Sequence, residues 1–194
     1  MDRDFSAIYD DAVSRILPGL PKELSYHNTD HIMDVLEQSQ RIAHEEGIRN
    51  KEDLFLLKTA ALYHDSGFLH AYSGHEEAGC KIVKKELPVF GMNGKQLDSI
   101  CGMIMATKIP QSPKNKLEEI ICDADLDYLG RPDFFKIADS LFAEMKHRGL
   151  VNNEHDWNQI QVRFLKAHHY FTPTNKQSRE QKKLEHLAMI EKTL

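Results

Sequence analysis

The sequence predicts an all-α fold, and three observations carry that expectation. Apolar residues recur at three- and four-residue intervals, which places them along one face of a helix. Alternating apolar runs flanked by tight hairpin turns are absent. Turns bearing Pro or Gly separate the periodic stretches, as at Pro18-Gly19 and Gly47.

The first helix is expected over roughly residues 4–17, ending at Pro18-Gly19. The second begins near Thr29, carries Ile32, Val35 and Leu36 on one face and stops at Gly47. Asn50 and Asp53 look like an N-cap pair opening a third helix through Leu54, Leu57, Ala61 and Leu62. Ser73 and Glu76 have capping-box spacing before a helix that ends near Pro88, with Gly67 in the loop ahead of it. Further helices are expected over about 93–106, 115–125, 133–147, 154–168 and 179–193. Nothing marks a second domain, a repeat or a low-complexity linker, so residues 1–194 read as one compact helical bundle.

With 194 residues, 41% hydrophobic and 28% charged, the chain can bury a sizeable core without disulfides or a structural metal. Disordered, collagen-like and disulfide-scaffold classes are disfavoured. Lys and Arg number 25 against 30 Asp and Glu, a net charge of −5, and there is no basic block of the kind that coats nucleic acid or an anionic membrane. A phosphate-bearing substrate would need its charge met locally. Cys80, Cys101 and Cys122 form no CxxC pair and leave an odd thiol, which suits a reducing compartment. The start MDRDFSAIYD lacks the basic and apolar parts of a signal peptide, and Leu54 to Tyr63 is too short to span a bilayer. The expected location is cytoplasmic, with no membrane partner.

Eleven histidines are many for this length, and their placement has to distinguish chemistry from surface. His-Asp occurs at His64-Asp65 and at His155-Asp156, and roughly one such dipeptide arises by chance at this composition. The second follows Asn152-Asn153-Glu154, where a surface helix start explains it. The first ends the apolar stretch LFLLKTAALYHD, where a carboxylate is costly unless paired or bound to a cation. Tyr26-His27-Asn28-Thr29-Asp30-His31 sets two histidines four apart, with Asn28 or Thr29 available as a cap. Asp123, Asp125 and Asp127 crowd a helix end that already carries partial negative charge, which suggests a cation there. Phe134, Phe135, Leu141 and Phe142 read as core, and His168-His169-Tyr170-Phe171 as packing against the bundle.

Taken in order, His31, His64-Asp65 and Asp125 resemble the HD superfamily of metal-dependent phosphohydrolases over most of the chain. The resemblance implies an all-α HD-type bundle in which His31, His64, Asp65 and Asp125 bring one divalent ion together from separate helices. Asp125 is favoured over its acidic neighbours by its Ala124-Asp125-Leu126 context. Residues 26–35 are also similar to the YHNxxHxxxV stretch of cyclic-nucleotide phosphodiesterases. That similarity implies His27 as the general acid, while Phe68 stands where those enzymes carry a further His, so cyclic-nucleotide specificity is not carried over. Compact HD proteins often have a His like His75 soon after the pair, and dinuclear members a later one where this chain has Thr107. One ion is therefore expected, with at most a second, weakly held one.

Two imidazoles and two carboxylates suit Mn, Fe, Co, Ni or Zn better than Mg. An octahedral ion on four such ligands keeps two positions, one for a water acidified toward hydroxide and one for a phosphoryl oxygen. The expected activity is hydrolysis of a phosphate ester or anhydride, of a nucleotide or related small phosphorylated molecule. His27 would protonate the leaving oxygen and Asp65 steer the nucleophile. His75, Lys108 and Arg131 are candidate substrate contacts, with Arg163 a further basic candidate. Two rival readings stay open: a degenerate HD domain that senses a nucleotide, and a di-iron oxygenase, against which Thr107 counts.

Overall fold

Helix starts in this chain are set largely by asparagine. The computed structural model describes residues 5–194, and among these it has nine α-helices and no strand. They are α1 (Phe5–Asp11), α2 (Thr29–Glu45), α3 (Lys51–Tyr63), α4 (His75–Glu86), α5 (Gly94–Thr107), α6 (Lys116–Asp125), α7 (Phe134–His147), α8 (Glu154–Ala167) and α9 (Pro173–Glu191). Asn28, Asn50, Asn93, Asn115 and Asn153 each accept backbone N–H bonds at the starts of α2, α3, α5, α6 and α8, which satisfies donors that have no partner inside the helix.

Three expected boundaries differ. The first helix is expected to residue 17, but α1 ends at Asp11 and the chain continues through a wider turn at Ala12–Ile16 and a tight one at Leu17–Gly19; its expected start at residue 4 lies outside the described residues. Ser73 and Glu76 form no capping box, because α4 starts at Gly74 in the left-handed conformation, φ 75°. The last helix starts at Pro173 rather than 179, since Thr172 accepts from the Asn175 N–H and Pro173 sits where no N–H is needed.

Two apolar cores result. One joins α1 to α6 around Ile32, Val35, Leu57, Leu62, Ile104 and Ile121. The other gathers Tyr26, Leu129, Phe134, Trp157, Leu165 and Tyr170 under α7, α8 and α9. Phe135, expected inside, is 43% exposed, because the adjacent Phe134 takes the buried position. No helix among the described residues is long and apolar enough to cross a membrane. The short turn Ser66–Leu69 after α3 lies hard against α4: a Cβ on Gly67 would fall 1.8 Å from the His75 carbonyl oxygen. That close approach sets the end of α3 beside the start of α4.

Candidate active site

Helix α2 packs on both α3 and α6, and each of the three delivers a ligand-type side chain to one point. His31 is in the first turn of α2, its N–H held by Asn28 Oδ1. His64 and Asp65 follow the end of α3, and Asp125 is the last residue of α6. His31 Nε2 lies 3.3 Å from His64 Nε2, 3.4 Å from Asp65 Oδ2 and 3.2 Å from Asp125 Oδ1. His64 Nε2 lies 3.2 Å from Asp65 Oδ2 and 3.7 Å from Asp125 Oδ1. His31, His64 and Asp65 are buried, and their donor atoms sit within 4.8 Å of one another.

These residues fit a divalent ion. His64 Nδ1 bonds to the Ala61 carbonyl at 2.8 Å, which places the proton on Nδ1 and leaves the Nε2 lone pair facing His31, as metal-ligating imidazoles require. Asp65 Oδ2 is buried and accepts no hydrogen bond despite the nearby imidazoles, an arrangement that is costly without a cation. Burial disfavours the imidazolium of His64, but the Asp65 carboxylate outweighs it and raises the pKa to about 9. Burial likewise opposes ionisation of Asp65, and its His64 neighbour holds it far below the usual carboxylate range. A proton on His64 and a cation between the ligands are thus alternative ways to balance the same carboxylates.

Beside this cluster, His27 Nδ1 is 2.5 Å from Glu144 Oε1. Glu144, on α7, is fully buried and also accepts the N–H groups of Tyr26 and His27 at 2.9 and 3.1 Å and the Tyr72 hydroxyl at 3.1 Å. Burial favours its neutral form, but the hydrogen bond and charge of His27 win and lower its pKa. With Nδ1 committed, the other face of the ring is free to address the cavity that His27, Asp65, His75 and Asp125 all line. His75 opens α4, with Nε2 3.5 Å from Asp65 Oδ1 and its ring stacked on Phe68 at 4.0 Å. Asp65 therefore presents one oxygen to the two ligand histidines and the other to His75.

Other sequence candidates are used elsewhere. Of the three alternate aspartates only Asp125 faces the cluster. Asp123 accepts from the Thr172 hydroxyl at 2.6 Å and from the Phe171 and Thr172 N–H groups at 2.8 Å. Asp127 takes Arg41 at 2.7 Å and Arg179 and Asn175 at 3.0 Å. Lys108 pairs with Glu77 at the surface and is not in the cavity wall. Arg131 is bound by Asp34 at 2.7 Å and Asp133 at 3.0 Å and lines a separate hollow that touches His31. Arg163 is exposed on α8, and His155-Asp156 lies at the α8 start, where Asn153 caps the Asp156 N–H. Thr107 is buried in the cavity wall. Glu144 escapes the motif reading, although its position three residues after Leu141, on the buried side of α7, was a usable signal.

The HD domain family model matches residues 28–127, just over half of the chain, and the chain belongs to that family of metal-dependent phosphohydrolases. Two solved structures share its fold. Bacillus subtilis YpgQ in complex with ADP is 22% identical, with a TM-score of 0.64 over 98% of this chain and 96% of that one. A structural-genomics target from Lactobacillus plantarum is 19% identical, with a TM-score of 0.66 over 97% and 95%. No curated protein matches the chain in sequence.

Proposed function

We propose that this protein is a metal-dependent phosphohydrolase acting on a small phosphorylated molecule. The observation that carries the reading is the convergence of His31, His64, Asp65 and Asp125 on one point, with Asp65 and Asp125 in the wall of the cavity lined by His27, whose ring is held by a buried carboxylate. His31, His64, Asp65 and Asp125 would hold a divalent ion. When bound, such an ion supplies Lewis acidity and an activated water at neutral pH.

The chain's own residues account for the rest. Glu144 fixes the His27 ring through Nδ1, and a ring held this way carries a proton on Nε2 only as imidazolium, whose charge Glu144 offsets. That is the form needed to protonate a departing oxygen. The second Asp65 oxygen and His75 stand where they can orient water and phosphate. Tyr26, buried with its ring tilted against His31 at 4.6 Å between centroids, keeps water off the ligand imidazole.

A nucleotide is one substrate class within this reading, supported by the ADP bound to the Bacillus subtilis neighbour. The test is a panel of nucleotides and phosphate esters offered to metal-stripped protein with Mn, Co, Ni, Mg or Zn. Phosphate release that needs both the ion and His64 is the expected result. Ligand binding without turnover on any ester or anhydride would replace the hydrolase by a sensor.

A further inference from the structure

The cavity lined by His27, Asp65, His75 and Asp125 has a volume of about 290 Å³ and continues well past them, between α7 and α8. Leu129, Phe134 and Leu141 form one side of this extension, and Trp157, Ile160 and Phe164 of α8 the other. Among the described residues no Lys or Arg lines it, while Asp65, Glu76 and Asp125 do. The Thr107 hydroxyl is spent on the Ile104 carbonyl and the Gln161 amide on Asn158. A neighbouring cavity of about 110 Å³ shares the walls Ile109, Leu126 and Phe164, so apolar surface continues beyond the first chamber.

Polyphosphate would bring several negative charges beside three carboxylates with no Lys or Arg in the wall to meet them, and His27 and His75 are placed to serve a single phosphate at the cluster. Sugar hydroxyls in the extension would lose water and find few free partners, which is costly. A hydrocarbon entering the same space gives up nothing and buries apolar surface. We propose that the organic group of the substrate is a hydrocarbon: the phosphate of an aliphatic alcohol ester sits at His27 and the ligand cluster, and its chain lies between α7 and α8. This inference rests on the phosphohydrolase reading for the reaction, but the apolar subsite can be tested without turnover.

Trp157 is the single tryptophan of the chain and is in the wall, so its fluorescence reports occupancy. The experiment titrates the Mn-loaded and the metal-stripped full chain with n-alkylphosphonates from methyl to decyl, with AMP and ADP as the competing class. Each added methylene is expected to tighten binding about fourfold until the cavity is full, with Trp157 emission changing. Ile160→Phe, which fills the wall at a half-buried position, should move the best chain length down. Affinity independent of chain length, or AMP or ADP binding more tightly than octylphosphonate, would overturn the proposal. If the phosphonate series climbs while no alkyl phosphate is hydrolysed, the subsite stands and the hydrolase reading falls. If alkyl phosphates are hydrolysed with the same kcat/KM at every length, the hydrolase reading stands and the subsite falls.

Discussion

The two cores of the molecule contribute to the site in different ways. The α1–α6 core supplies His31, His64, Asp65 and Asp125 from helix ends, in surroundings where such groups are out of place without a cation. The α7–α9 core supplies no residue of that cluster; it contributes Glu144, which holds His27, and the apolar walls that would hold a substrate. In the proposed reading the ligand cluster comes from one core and most of the apolar wall from the other, with Asp65 and Asp125 lining the same cavity as Phe134, Trp157 and Phe164.

Changes in the first core should have the largest effects. His64→Ala and Asp65→Ala are expected to abolish metal retention, read by elemental analysis after dialysis, along with the rise in Tm on adding the ion. His155→Ala, at an exposed helix start, should leave both as they are; metal content that followed His155 would move the centre to the other dipeptide.

A change in the second core should be smaller and of another kind. Glu144→Gln is expected to retain the metal while lowering kcat about tenfold to a hundredfold, the usual cost of losing a carboxylate behind a working histidine. Loss of metal in this variant would merge the two roles.

Acid should separate the cores further. Burial and the nearby Lys183 lower the His168 pKa to about 3, so the folded chain keeps it neutral where the unfolded chain, near 6.5, takes up a proton. Its contribution to stability is present above pH 6.5 and is lost as pH falls toward 3. Asp123 has the opposite sign: burial raises it to about 6 from 3.8, so its contribution grows as pH falls through that range. His168→Asn should therefore lose less Tm than the parent between pH 6.5 and 4. Identical pH slopes would show that His168 is not kept neutral.

Lys108→Ala should change least. Its charge is spent on Glu77 at the surface, where an ion pair contributes little, so kcat/KM is expected to be unchanged; a large loss would return Lys108 to the substrate contacts.

The sequence makes the first core more legible than the second for a physical reason. Asn caps, periodic apolar faces and the conflict between His64-Asp65 and its apolar flank are all local, and they place α2, α3 and α6 within a few residues. The wrongly placed features depend on distant partners. Asp123 and Asp127 look like a cation site until Thr172, Arg41 and Arg179 arrive from elsewhere in the chain. Glu144 looks like an ordinary helical glutamate until α7 lies over Tyr26 and His27, 117 residues away in sequence for His27.

The most direct test of the central claim compares leaving groups in His27→Asn. On metal-loaded protein, the variant should lose about 10²–10⁴ in kcat on an alkyl phosphate, whose leaving oxygen needs a proton. It should be nearly normal on p-nitrophenyl phosphate, whose leaving group does not. Equal losses on both esters, or an unchanged rate on both, would contradict the account and reduce His27 to a positioning or helix-start residue.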